Sequence, residues 1–280
     1  MIGWGFLGTR RWVGYIALSI VFAIVCCLLG FWQLSRRAEA EIEIDRVANN
    51  YELAAVPVAS VLPKLSAYDS TLEWTPVTIT GTYLVDDQLL ARNRPYGGNP
   101  GFEVLTPLLA DDGTVFVIDR GWVPIGNRQD APDEVPAAPA GRVTVEARLA
   151  AGEPTLAERT APPGQIASID LGAIADLVDK PTYTGAYGLL ANEDPSPATV
   201  PIAQPKPVPD EGPHLSYAFQ WFVFALLGFV GLGYLARQEF RALNAEDPEE
   251  RERAEERLRK AAAKPLTDSE IEDAVVDASS

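Results

Sequence analysis

The sequence predicts a membrane protein in which two transmembrane α-helices flank an extracytoplasmic α+β domain dominated by antiparallel β-strands. Two charge-free apolar runs carry the first half of that reading: VGYIALSIVFAIVCCLLGFWQL at residues 13–34 and HLSYAFQWFVFALLGFVGLGYLA at residues 214–236. At ~1.5 Å per helical residue, each spans about the 30 Å of a bilayer core. The second half comes from the chain between them, where hydrophobicity changes to a period of two and acidic residues outnumber basic ones two to one.

The first run is too long for the apolar part of a secretory leader. It ends in bulky FWQL and then Arg36 and Arg37, not in small cleavage-site residues, so it reads as a retained anchor. Arginines on both sides, Arg10 and Arg11 against Arg36 and Arg37, leave its orientation open. The second run decides the topology. Asp210 and Glu211 precede it and Arg237 and Arg241 follow, which puts its C-terminal end in the cytoplasm, and with two spans both termini. Residues 1–12 are then a cytoplasmic N-terminus, 35–213 the β-rich external domain, and 237–280 a charged cytoplasmic tail.

RRAEAEIEIDRVANNYELAA continues the first helix outward until Pro57 and Pro63. In VTITGTYLV, Val77, Ile79 and Tyr83 alternate with Thr78, Thr80 and Thr82, and after a turn at Asp86 and Asp87 comes DQLLARNR. RNRPYGGNPG is loop. FEVLTPLL and TVFVIDRGWV are two strands joined by an Asp-Asp-Gly turn. RVTVEARLA alternates Val143, Val145, Ala147 and Leu149 with Arg142, Thr144, Glu146 and Arg148, the mark of a half-exposed antiparallel strand. DLGAIADLV is a short helix capped by Asp170, and TYTGAYGLLA and TVPIAQPKP are late strands. In the tail, DPEERERAEERLRKAAAK has a helix-start signal and i,i+4 pairs at Glu249–Arg253, Glu255–Arg259 and Glu256–Lys260, with little apolar stripe; it reads as a solvated helix with a disordered acidic end.

Composition narrows the chemistry. A net charge of −16 argues against nucleic acid as a partner. One histidine, one methionine and two adjacent cysteines without CxxC spacing leave no side-chain set for zinc or copper. No nucleophilic triad or phosphate-cradling glycine loop can be assembled, so the chain does not read as an enzyme. What remains lies at the outer ends of the spans. His214, Tyr217, Trp221 and Phe224 fall on one helical face, with Gln220 below His214. Trp32 and Gln33 stand at the same level on the first span. Ser19, Ala23, Cys27 and Gly30 form a small-residue seam, and Ala225, Gly228 and Gly231 a counterpart. Two readings fit. In one, these residues are an aromatic belt at the interface, the two amides bonding each other or the headgroups. In the other, the imidazole of His214 is an axial ligand for haem iron, in an aromatic cleft that suits a porphyrin with an apolar tail. Arg36 and Arg37 are then the nearest propionate partners, with Arg92, Arg94 and Arg120 available only if the fold brings them down.

Four stretches resemble the Surfeit locus protein 1 family, in order and within the same two-span topology. GFWQLSRR is similar to the end of the family's first span, GTYLVDDQLLARNRPYGGNPGFEVLTPLL to its strand, arginine loop and strand, VFVIDRGWVP to its RGW strand, and PHLSYAFQWFVFA to its entry into the second helix. Upstream of His214 the chain departs from the pattern, reading PVPDEGPHL. The resemblance implies a membrane factor that assembles haem-copper terminal oxidases and supplies or inserts haem a, held transiently; the absence of an Arg-rich, acid-poor leader argues for a bacterial plasma membrane over an organelle. His214 matches the histidine proposed to meet haem, Tyr217, Trp221 and Phe222 the aromatic positions, and Gly121 and Trp122 the RGW strand. Trp32, Arg36 and Arg37 complete the candidate cofactor-binding set. The implied partners are the oxidase catalytic subunit, haem a synthase and the lipid bilayer. The alternative is a non-catalytic subunit or clamp that stays on the oxidase without a cofactor of its own.

Overall fold

The computed structural model describes residues 3–127, 131–156 and 159–262. The chain divides into two compact units, Met1–Ala38 with Gly212–Ser280, and Glu39–Glu211.

The first unit is helical. Helix α1 is Arg10–Asn50, of which the part up to Ala38 belongs here. In the second unit, α1 ends where Asn50 Nδ2 donates to the carbonyls of Thr71 and Glu73 at 2.7 and 2.8 Å, ahead of the prolines that the sequence suggested as its stop. A strand β1 (Val56–Pro57) and one helical turn α2 (Val58–Val61) follow. Then come β2 (Pro76–Tyr83), β3 (Leu89–Ala91), β4 (Gly101–Ala110), β5 (Val115–Pro124), β6 (Arg142–Ala151), β7 (Gln165–Ile166), helix α3 (Leu171–Val178) and β8 (Ala186–Asp194). The first unit resumes with α4 (His214–Leu243) and α5 (Pro248–Ala262).

Strands β2, β6, β8, β5 and β4 form a closed barrel, because β4 pairs with β5 along one edge and returns to β2 on the other. The closing register sets Gly81 opposite Ala110 and Tyr83 opposite Leu108. A Cβ on Gly81 would lie 2.1 Å from the Leu109 carbonyl oxygen, so only glycine lets the two strands meet there. Closure removes the open sheet edges that would otherwise template aggregation. Inward residues of β2 and β6 are those that the alternation marked: Val77, Ile79, Tyr83, Val143, Val145, Ala147 and Leu149 are buried, together with Leu108, Phe116 and Ile118. Their outward neighbours pair across the strands, as in Thr80 with Thr144 at 3.1 Å between hydroxyls.

Strand β5 is buried on both faces, because its second face is covered by α3, whose Leu171, Ile174 and Val178 pack on Val115 and Val117. Two features differ from the sequence expectation. The pairing is mixed: β8 lies parallel to β5, with Ile118 opposite Gly188, and this seam closes an otherwise antiparallel barrel. The long connection through α3 makes a parallel neighbour possible. Helix α3 starts as read, with Asp170 Oδ1 accepting from the amides of Gly172 and Ala173. TVPIAQPKP is not a strand. It contributes one bridge, Ile202 to Trp122, since Pro201, Pro205 and Pro207 have no N–H to give a ladder. In α5 the pairs Glu249–Arg253 and Glu256–Lys260 form at 3.3 and 2.8 Å; the expected disordered end lies outside the described residues.

Candidate functional site

Among the described residues, α1 and α4 are long and apolar enough to cross a membrane. The two helices pack along small residues. On α1 the shielded stripe runs Trp12, Ile16, Ser19, Ala23, Cys26 and Gly30, and on α4 His214, Ala218, Trp221, Ala225, Gly228 and Leu232. Both alternate steps of three and four, the repeat of side-by-side helices at a shallow crossing angle. Gly30 meets the Phe222 ring and Gly228 the Phe22 ring, each at or below 3.0 Å from where a Cβ would stand. The seam drawn from the sequence is therefore correct at Ser19, Ala23, Gly30, Ala225 and Gly228. It is corrected at two places: Cys26, not Cys27, is the buried cysteine, and Gly231 faces open space.

At one end of this pair, Pro213 precedes α4 and Gly212 turns the chain into it with φ +65°, a left-handed conformation that favours glycine. His214 is the first helical residue. Its Nδ1 lies 2.9 Å from Gln33 Oε1 on α1. With the amide oxygen as acceptor, Nδ1 carries the proton and Nε2 keeps its lone pair. The Nε2 edge passes beside Gly212, where a Cβ would come within 3.2 Å of Cδ2 and Nε2. The Gln33 contact holds the imidazole ring in one orientation at the start of α4. Trp221, two turns along, is half-buried on the same stripe and meets Phe224 edge-on at 5.8 Å between centroids.

The other predicted residues are less gathered. Tyr217 is 49 % exposed and Trp32 56 % exposed, both off the stripe, and Phe224 sits at its margin, so the single face drawn through four aromatics narrows to His214 and Trp221. The helical step explains this: contacts repeat at three-and-a-half residues, and i+3 and i+10 drift aside while i+7 does not. The two amides do not bond each other, since Gln33 is taken by His214 and Gln220 is exposed. Arg37 is half-buried one turn beyond Gln33 and Arg36 is exposed; both have interaction partners.

Arg92, Arg94 and Arg120 are committed inside the barrel unit. Arg92 donates to Gln165 Oε1 at 2.7 Å. Arg120 points into the barrel with none of its side chain exposed, donating to the Pro136 and Ala137 carbonyls and to Glu193 Oε1, while Tyr83 donates to Glu193 Oε2 at 2.8 Å. On the opposite face of β5, Arg94 grips Glu153 with two bonds of 2.7 and 2.6 Å. Its Nε lies 3.1 Å from Glu103, without hydrogen-bond geometry. Asp119 lies in the same group. One oxygen accepts the Gly121 amide and the other, buried, has no partner. Burial, reinforced by the Glu103 charge, pushes the Asp119 carboxyl up to about 7, and burial also raises Glu103. The sequence carried a signal for these residues: Glu103, Asp119 and Arg120 are charges inside otherwise apolar strands, and charges so placed are paired or shifted. Of the two carboxyls, Asp119 is buried and Glu103 half-buried.

Comparison with known proteins settles the lineage. The sequence pattern of the SURF1 family matches residues 20–226. This chain belongs to the SURF1 family. An uncharacterized SURF1-like protein of Mycobacterium tuberculosis is 34% identical over 246 residues, covering 86% of this chain and 89% of the relative. A SURF1-like protein of Rickettsia bellii is 28% identical over 105 residues, 37% of this chain and 41% of its own. The cytochrome oxidase assembly protein SHY1 of Saccharomyces cerevisiae is 31% identical over 123 residues, 42% of this chain and 30% of its own. The match begins within α1, covers every barrel strand and ends in the first half of α4.

Proposed function

We propose that this SURF1 family member is a membrane-anchored, non-catalytic assembly factor for a haem-copper terminal oxidase, which presents His214 Nε2 as a transient axial ligand to haem a on its way to the catalytic subunit. α1 and α4 cross the bacterial plasma membrane with both termini in the cytoplasm, and the barrel stands outside. The family and the name of the yeast relative support oxidase assembly. The observation that carries the haem reading is the Gln33–His214 hydrogen bond, which leaves the outer imidazole nitrogen with a free lone pair beside a residue that has no side chain. Among the described residues no group of three or more His, Cys, Asp or Glu could hold a metal ion, and His214 is the single ligand proposed. A single ligand suits cargo that must leave, because the second axial position stays open for exchange. Trp221 supplies an aromatic wall, with Tyr217 and Trp32 at its rim, and Arg36 and Arg37 reach the propionates from the level above Gln33. Haem a synthase is the class of donor that such a carrier requires.

The test is the Soret absorbance of the purified full-length chain with and without added haem a. Binding is expected, with a marked loss in His214→Ala and a shifted band with weaker binding in Gln33→Leu. Haem content unchanged by His214→Ala rejects the ligand assignment. If the chain also co-isolates with the oxidase in fixed stoichiometry, the clamp reading replaces it.

A further inference from the structure

We infer that the end of the helical pair opposite His214 holds a binding site for the phosphate headgroup of an anionic phospholipid. A cavity of about 360 Å³ lies there, lined by Trp4, Arg237, Arg241, Glu250, Arg253 and Arg257. Four arginines thus line one cavity beside a single lining carboxylate, in a chain whose net charge is −16. Glu250 is nearly buried and is already shared: Arg257 reaches it at 2.8 Å and Arg253 at 3.6 Å, and Arg253 also takes Glu249 at 3.3 Å. Arg237 and Arg241 take part in none of these pairings, although the Arg241 charge acts on Glu250 at longer range. Glu249 and Glu250 cannot neutralise four arginines, and the remaining donors are planar forks of the kind that bind two oxygens of a phosphodiester.

The surroundings point to a lipid as the source of that phosphate. Arg237 is the first charge after the apolar run of α4, so the cavity opens where a bilayer core would end. Trp4 stacks on Phe240 with centroids 4.5 Å apart and planes 17° from parallel, yet half of it stays exposed, the position of an interfacial aromatic with one face on protein. Toward the core from the arginines, Phe229 and Val230 are open for acyl chains. Helix α5 closes the far side, with Arg253 and Arg257 one turn apart above Glu250. The tail helix, which looked from the sequence like a solvated rod, thereby supplies half of a headgroup clamp. Basic clusters next to a span on the cytoplasmic side are suited to anionic headgroups in this way. The inference rests on the reading that α4 crosses the membrane; it does not depend on haem.

The experiment is native mass spectrometry of the full-length chain in detergent, titrated with dioctanoyl phosphatidylglycerol or dioctanoyl phosphatidylcholine, with inorganic phosphate as competitor. Phosphatidylglycerol should be retained about tenfold more tightly than phosphatidylcholine. The Arg237→Gln/Arg241→Gln variant should abolish that preference, because about fivefold per arginine removed is enough to cover the tenfold difference. That variant leaves the Glu250 pairs intact, and circular dichroism checks that its helices persist. Equal retention of the two lipids, or a preference unchanged in the variant, overturns the inference. Displacement of the lipid by an equal concentration of phosphate also overturns it, by making the cavity a site for free anions. Flotation of the chain with phosphatidylcholine vesicles tests the spanning reading alone, and haem content in the same samples tests the His214 reading alone, so the three can fail separately.

Discussion

In the barrel, Arg120 and Glu193 have 0% and 2% of their side chains exposed, whereas in the helical pair Leu18 and Phe219 are 68% and 70% exposed. The barrel hides charge and the helices display hydrocarbon. In water a soluble domain does neither without compensation: a buried charge needs a partner, and exposed apolar stripes of that length need a covering. The barrel compensates within itself, through the Arg120–Glu193–Tyr83 network and the Arg94 group. The helical pair compensates only partly, through its seam of small residues, and leaves apolar helices long enough to cross a membrane largely exposed. The difference teaches that the barrel satisfies its polar groups internally, whereas the helical pair leaves an apolar surface of the kind a bilayer would cover.

The sharpest way to break this comparison is to remove one half of a buried pair. Arg120→Met strands Glu193 and the Pro136 and Ala137 carbonyls in the barrel interior, and should cost about 3–5 kcal/mol, read as loss of the barrel's cooperative thermal transition. Adding Glu193→Gln should restore a large part of it. If the single change is as mild as the double, the pair is not a structural unit.

Next in size is the pH response. The Asp119 carboxyl is raised in the folded barrel to about 7, from an ordinary value of 3.8. The folded state therefore binds this proton more tightly than the unfolded chain does. That contribution is complete below about pH 4 and is lost as pH rises through about 7, on the order of 2–4 kcal/mol for a group so deeply buried. The wild-type melting temperature should fall between pH 5 and pH 8 by more than that of Asp119→Asn. Parallel curves for the two proteins would remove Asp119 as the source.

The helical pair should respond to bulk, not to charge. Gly30→Val drives two methyl groups into the Phe222 ring and should weaken the pairing by about 1–3 kcal/mol, read as faster proteolysis or altered cross-linking between the spans. Gly231→Val faces open space and should change little. The smallest effect is expected at the rim of the proposed haem site. Tyr217→Ala should reduce haem retention less than Trp221→Ala, because only Trp221 lies on the shielded stripe with His214.

Much of this was legible in the residues themselves. Charge-free runs of bilayer length, strict alternation in β2 and β6, the Asp-Asp-Gly turn and the Asp170 cap are local patterns, and local patterns report local structure. His214 was conspicuous as the sole histidine. What could not be read was every relationship that depends on two distant segments meeting. The bond from His214 to Gln33 joins positions 181 residues apart. The closure of β4 on β2, the parallel seam of β8 on β5, and the gathering of Asp119, Glu103, Arg94 and Glu153 are of the same kind. So is the convergence of Trp4, α4 and α5 on one cavity.

The sequence alone thus determined which segments prefer hydrocarbon, which prefer a pleated half-buried surface, and which carry a rare imidazole, since these are transfer and conformational preferences of residues and their neighbours. Only the tertiary structure decided which polar groups face one another, which nitrogen of His214 meets Gln33, and whether a charged strand residue is paired or stranded. Those outcomes follow from distances between chain-remote atoms, and electrostatics and hydrogen bonding are short-ranged enough that a few ångströms separate a site from a coincidence.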